Sequence, residues 1–430
     1  MTSLPDSSLH IEQVNSPERR IKVFVHLVHG FGARRWSEAW DKGKMPGILD
    51  KLPYGYYHAA DNQYEIQYSE DANEGRVTRF LRLALRRALG FDLWHAWRNR
   101  VGLHGADIIW THTELEHLGV LSLWCLTRPV SRPKLIAQSV WLYDRWTDFY
   151  APKRWLYKTL LAKADILTVL SPDNLVRARE LFPNKHAEFV RFGIDSGAIT
   201  PAVKRIRHKP LRVLSLGRDM HRDWDTLIQA IKPCGDWYLR IAATQNVPRV
   251  AAQPGKIELI RATTAREVFD LYAWADIVVL PLRANMHASG ITVLAEAALS
   301  GVPVIATDTG GLRSYFSGRE VKYVPVGDFL ALRHAIRSLA DDDDLRFRLA
   351  CAAQERILSD DLSSRAYAMR HREISDRLLF PGERTITPTN GVQPDIAANN
   401  ESASHRQMPR DNVAHSFADF SNGDSPLKRR

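Results

Sequence analysis

Short apolar runs rich in β-branched residues alternate with helical stretches along this chain, and the whole alternation is written twice. The first series is IKVFVHLV (21–28), ADIIWT (106–111), KLIAQSV (134–140) and ADILTVL (164–170), separated by stretches such as APKRWLYKTLLAKA. Runs that are apolar throughout, rather than every second residue, are the mark of strands buried on both faces, which means a parallel sheet covered by helices. Around FGIDSGAITPAVKRIRHKP (192–210) the pattern breaks into glycine, proline and basic residues. It then resumes with LRVLSLG (211–217), WYLRIAA (237–243), KIELI (256–260), ADIVVLP (275–281), VPVIA (302–306) and VKYVPV (321–326). The expected fold class is therefore α/β, with two Rossmann-like, doubly wound parallel-sheet domains facing one another across a cleft. Ligands of such sheets sit beyond the carboxyl ends of the strands.

A chain of 430 residues has the length for this arrangement. The reading divides it into a flexible leader (1–20), a first domain (21–192), a linker (193–210), a second domain (211–358) and a capped amphipathic helix (359–380). A tail (381–430), poor in apolar residues, is expected to be disordered.

The formal net charge of +10 and pI near 9.5 describe a surface that attracts phosphates. Nucleotide-linked substrates, anionic lipids and nucleic acid all fit that description. The sequence carries no RNA or DNA motif and no ladder of stacking aromatics, so nucleic acid is not an expected partner. Neither domain has GxGxxG after its first strand, which argues against a dinucleotide oxidoreductase. Cys125, Cys234 and Cys351 form no CxxC pair and fit buried positions in a reducing compartment. The N-terminal residues have no apolar h-region and no run is long enough to span a bilayer, so a cytoplasmic location is expected.

The most informative stretch is ADIVVLPLRANMHASGITVLAEAALSGVPVIATDTGG. A strand ends at Pro281, a polar loop follows, and a helix begins near Gly290. The amides of Ser289, Gly290, Ile291 and Thr292 would be the unpaired donors of that helix start, at the positive end of its dipole, and so form an anion site. Thr292 and Glu296 share a helix face. Facing the cleft, the Glu296 carboxylate could accept hydrogen bonds from a vicinal diol; otherwise it is a solvated helix residue in an apolar neighbourhood.

These residues resemble the retaining family-4 glycosyltransferases, whose Glu-x7-Glu signature is followed by Ala and a Gly-x-Pro-Val strand. Glu296-Ala297 and GVPVIAT (301–307) match its second half, and Ala288 stands where the first Glu would be. His287-Ala-Ser-Gly290 occupies that place, so His287 and the loop backbone are the candidates for holding the donor sugar. Gly310-Gly311 matches the family's next loop, with Arg313-Ser314 where a Glu often follows. In LRVLSLGRDMHRDWDTLIQAI, Arg218 and Arg222 resemble the basic pair that grips the donor pyrophosphate in this family, a task that suits guanidinium forks. The alternative is that they pair with Asp219, Asp223 or Asp225. The resemblance covers roughly residues 190–340 and is thin before them. It implies a GT-B fold and transfer of a hexose, with retention, from a nucleotide-diphosphate sugar. It implies no cofactor beyond that co-substrate and no protein nucleophile. No DxD-like metal site is evident, and Asp341 to Asp344 read as a solvated face.

In the first domain, ADIIWT leads into His112, Glu114, Glu116 and His117 at a strand's carboxyl end, where chemistry is placed in this architecture. His112 is the catalytic candidate there. A capped helix start accounts equally for Thr113 and Glu116. Glu114, Asp144 and Arg145 are acceptor-side candidates, and Gly32, in the loop Gly30-Phe31-Gly32, resembles the fold's donor-approaching first loop.

VTRFLRLALRRALGFDLWHAWRNR (77–100) carries six arginines against one acid, with Leu81, Leu85 and Leu89 at helical spacing. It reads either as a helix packed on the core or as a surface for an anionic membrane at the inner face of the plasma membrane. The acceptor expected is a glycan or a polyprenyl-linked saccharide. The rival readings are a UDP-sugar epimerase of the same fold and a non-catalytic nucleotide- or nucleic-acid-binding protein.

Overall fold

The computed structural model describes residues 19–47, 49–197, 199–217, 219–243, 255–359 and 362–382. The first sheet contains β1 (Ile21–His26), β2 (Tyr64–Tyr68), β3 (Ile108–Thr111), β4 (Lys134–Ser139), β5 (Ile166–Val169) and β6 (Ala187–Phe189) in the order β2-β1-β3-β4-β5-β6. The second contains β7 (Leu211–Leu216), β8 (Trp237–Ala242), β9 (Ile257–Ile260), β10 (Ile277–Leu280), β11 (Val304–Thr307) and β12 (Val321–Val324), ordered β12-β11-β10-β7-β8-β9. All pairings are parallel, with Val25 opposite Trp110 and Val213 opposite Ile277 marking the two central registers. The fold is GT-B: two Rossmann-like domains. Strand order reverses beside β1 in one sheet and beside β7 in the other, and the crevice at such a reversal is where a ligand finds room.

The strands are apolar throughout because each side is covered. In the first sheet Phe24, Ile109, Leu135 and Leu167 face one core, while Val23, Val25, Ile108, Trp110 and Ile166 face another. The second sheet repeats this with Leu214, Val278 and Val304 on one side and Val213, Val279 and Ile305 on the other.

The helix Ser364–Leu379 closes the outer face of the first sheet, although it follows the second domain in sequence. Trp110 Nε1 donates to Ser375 Oγ at 2.9 Å, Tyr64 Oη donates to Asp376 at 2.6 Å, and Arg377 pairs with Glu188. The chain therefore crosses back and ties the domains together. The expected tail lies outside the described residues from 383 onward, and the expected leader lies outside them up to residue 18.

The basic segment is two helices, Arg76–Leu89 and Leu93–Arg98, broken where Gly90 takes a left-handed conformation and Asp92 caps the second. Leu89 and Leu93 pack on the core. The outer face does not pack: Val77, Phe80 and Leu81 are 73%, 70% and 61% exposed. Among the described residues no helix is long and apolar enough to cross a membrane.

Candidate functional site

Two loops meet at the reversal point of the second sheet, one leaving β7 and one leaving β10. Asp219, two residues past the glycine that ends β7, is their junction. Its Oδ2 accepts from Ser289 Oγ at 2.6 Å and lies 3.2 Å from His287 Nε2, and its Oδ1 accepts from the His221 amide at 3.0 Å. Arg222 lies beneath, buried, donating to the Leu216 carbonyl and to Ser289 Oγ at 3.0 Å each. Gly217 is required above it, because a Cβ there would fall 2.1 Å from Arg222 Nε.

His287 bridges the two domains. Its Nδ1 lies 3.2 Å from Asp144 Oδ2, an ion-pair contact whose angle falls short of a hydrogen bond, while Nε2 faces Asp219. Burial opposes charge on the ring, but the two carboxylates outweigh it and push the pKa up to about 9. The mirror effect acts on Asp219: burial raises its pKa, yet His221, His287 and Ser289 hold it far below the usual carboxylate range. Asp144 Oδ1 also accepts from the Met286 amide at 2.7 Å, and Ser171 Oγ donates to the Met286 carbonyl, so the loop after β10 is gripped twice by the first domain.

Among the described residues Asp144, His221 and His287 bring metal-ligand atoms within 4.8 Å of one another. An imidazolium with a carboxylate at each nitrogen has no lone pair to give a metal.

Glu296 lies on the helix Ile291–Leu299, and the face that it shares with Thr292 by spacing is turned toward the cleft. It is buried, accepts from Tyr272 Oη at 2.9 Å, and lines a cavity of about 260 Å³. Phe31, Trp36, Met45 and Gly47 close that cavity from the first domain, and Gly217, Ala242 and Ala262 line it from the second. The wall is apolar and small-residue-rich, with the carboxylate as its polar feature.

Several expected site residues are placed otherwise. Of the four helix-start amides, that of Ser289 is taken by Asn285 Oδ1 and that of Ile291 by the Ala288 carbonyl, so an anion would rest on Gly290 and Thr292. Gly290 is left-handed and packs on Leu280, which a Cβ would meet at 2.7 Å. Gly32 does not offer its amide to a donor: the amides of Gly30 and Gly32 donate to the Asp71 carboxylate, which sits where an incoming phosphate would. His112 does not open onto the cleft either. Tyr54 stacks on it at 3.5 Å between ring centroids, and its Nδ1 lies 3.1 and 3.2 Å from the Tyr56 and Tyr367 hydroxyls. Burial, with His371 nearby, lowers its pKa to about 3, so the ring is neutral. Arg222 reaches the cleft only through Ser289, and Arg218 lies outside the described residues. Glu114, Asp144 and Arg145 do come together, around a second cavity of about 410 Å³ beside His221. Asp219, His221 and Tyr272 were not anticipated as site residues. The Asp219 signal was present in its position two residues after the strand-ending glycine.

Residues 210–342 match the family model described as Glycosyl transferases group 1. That match falls within the second domain. The glycogen synthase of Mycobacterium tuberculosis is 27% identical to this chain over 232 residues, 49% of this chain and 53% of that protein. The chain thus spans about half the length of the curated relatives it matches. Among solved structures, sucrose-phosphate synthase from Thermosynechococcus elongatus aligns with a TM-score of 0.59 at 15% identity, over 83% of this chain and 99% of that one. Anabaena HepE, solved in complex with UDP and glucose, aligns with a TM-score of 0.59 at 14% identity, over 83% and 100%. At such identities these two establish the shared two-domain fold. The matched residues contain both β7 and β10 and hence the whole Asp219, His287 and Glu296 constellation.

Proposed function

We propose that the chain is a retaining, metal-independent hexosyltransferase that moves sugar from a nucleotide-diphosphate donor to a glycan or lipid-linked saccharide. The observation that carries this reading is Glu296, a buried carboxylate at the polar end of an apolar cavity, one helix turn from a glycine-opened helix start. A nucleoside fits there with its base against Ala242 and Ala262 and its ribose diol on the carboxylate. The pyrophosphate then lies toward the amides of Gly290 and Thr292, at the positive end of the helix. The donor sugar points to the His287–Asp219 pair. Charge that develops on the departing pyrophosphate meets the helix start and, through Ser289, the buried Arg222 cation. The group 1 glycosyltransferase match and the UDP and glucose bound by HepE support the donor class. The exposed Val77, Phe80 and Leu81, flanked by arginines, suit work at the cytoplasmic face of an anionic membrane, as in exopolysaccharide assembly.

Thermal denaturation with UDP, GDP, ADP and their sugar forms tests the reading. One nucleotide family is expected to raise the melting temperature and to name the base. No response to any of them at millimolar ligand would overturn the donor site, and epimerisation of a UDP-sugar without acceptor would overturn transfer.

Gly47→Ala gives a second check from the opposite wall. Gly47 has φ +106°, and its Cβ would fall 2.6 Å from Glu296 Oε1. The substitution is expected to cost about 1–3 kcal/mol in backbone strain and to weaken nucleotide binding by displacing the wall or the carboxylate. Calorimetric titration of the nucleotide identified above reads the loss, and unchanged affinity would remove Gly47 from the site.

A further inference from the structure

The second cavity, of about 410 Å³, joins three chemistries in one space. Its walls are apolar, with Phe80, Leu83, Leu115 and Trp141 contributing. Arg86, Arg87 and Arg145 also line it. At its inner end lie Asp144 and His221, part of the bridge that holds the proposed reaction centre.

The carboxylates nearest Arg86 are engaged elsewhere. Glu114 spends Oε2 on the amides of Val140 and Trp141, and Asp144 is engaged by Met286 and His287. Asp92 pairs with Arg82 at 3.0 Å and accepts from the His95 amide at 2.9 Å, so it reaches Arg86 only through space, and Glu74 is taken by Arg82 as well. Among the described residues no carboxylate pairs with Arg86. Burial, with the neighbouring Arg82, pushes its pKa below the usual guanidinium value, more than the charges of Asp92 and Glu116 offset. Lys153 adds positive charge behind Gly90, where an added Cβ would meet its Nζ at 2.6 Å. An anion at Arg86 would relieve this arrangement.

The apolar lining also continues to the surface. Phe80 lines the cavity and is itself 70% exposed, in line with Val77 and Leu81 on the same helix. A hydrocarbon chain could follow that face from a membrane into the cavity with little water exposure.

Resting on the glycosyltransferase reading, we propose that this cavity is the subsite for the prenyl-phosphate end of a lipid-carried acceptor. The chain lies along Phe80 and Leu83, the phosphate on Arg86 and Arg87, and the saccharide reaches inward past Asp144 and His221. Neither half of such a molecule satisfies the cavity alone: a free saccharide leaves Arg86 and the apolar wall unfilled, and an uncharged lipid brings Arg86 and Arg87 no anion.

The test uses the full chain and farnesyl phosphate, with farnesol and inorganic phosphate as the two half-molecules, and binding is read by calorimetry. Farnesyl phosphate is expected to bind at least about tenfold more tightly than either half. Arg86→Gln should weaken farnesyl phosphate by about tenfold and leave both farnesol binding and the nucleotide-dependent melting shift intact. Phe80→Ser, at an exposed position that does not threaten folding, should weaken farnesyl phosphate and farnesol together. Equal affinity for all three probes, or farnesyl phosphate binding indifferent to Arg86→Gln, overturns the proposal. Displacement by a nucleoside diphosphate with no effect of Arg86→Gln also overturns it, because the lipid would then sit in the donor cleft. A chain that responds to nucleotides but not to farnesyl phosphate loses this subsite and keeps the donor site. One that binds farnesyl phosphate through Arg86 yet ignores every nucleotide loses the glycosyltransferase reading instead.

Discussion

Glu296→Ala is expected to abolish the nucleotide-dependent rise in melting temperature and to lower transfer by about 100-fold or more, the scale of losing a hydrogen-bonded charge at a buried ligand site. The substitution also strands the Tyr272 hydroxyl, which donates to Glu296 Oε2 at 2.9 Å in a fully buried setting. An unsatisfied buried hydroxyl costs about 1–3 kcal/mol, so the apo protein should melt lower as well. Glu296→Gln separates the two effects. Its amide oxygen still accepts from Tyr272 and restores most of the stability, but it offers a ribose diol a single neutral acceptor in place of a charged pair. Melting scans with and without nucleotide on both variants decide the matter. If the Gln protein binds nucleotide as wild type does, Glu296 serves the core rather than the ligand.

The second large effect concerns the His287 bridge. Its folded pKa of about 9 lies above the ordinary value of 6.5. Stability from the bridge is therefore complete below pH 6.5 and is lost as pH rises through 9. Above that, Asp144 and Asp219 face one another across a neutral ring, and the domain contact carried by Met286 loosens with them. Melting temperature and transfer rate should both decline through this alkaline window. Asp219 acts at the other extreme: its pKa is depressed, so its contribution is present above pH 3.8 and disappears as pH falls below it. His287→Gln is expected to flatten the alkaline decline and to lower stability at neutral pH by about 3 kcal/mol, the cost of leaving buried charge uncompensated. A wild-type melting temperature level from pH 6.5 to 9 would show that the ring is neutral throughout. The metal reading of Asp144, His221 and His287 would then regain its footing.

What the sequence by itself determined follows from local physics. A strand buried on both faces must be apolar at every position, so ILTV and IVVL announced β5 and β10, and with them the twice-written α/β series. The helix start near Gly290 and the face shared by Thr292 and Glu296 were legible for the same reason, since both are properties of a single helix, while the turning of that face toward the cleft was not. Only the tertiary structure decided which polar groups remain available for chemistry. Asp71 takes the Gly30 and Gly32 amides from across the first sheet's loops, 41 and 39 residues away. Tyr367, 255 residues beyond His112, joins Tyr56 and Tyr54 in sealing that ring inside. Asp144 finds the Met286 amide 142 residues on and meets His287 there, which turns a loop histidine into a cation joining two domains. Periodicity reports which side of an element is buried. The partner of each hydrogen-bonding group depends on where the whole chain packs, and burial then makes each pairing strong enough to assign charge and function.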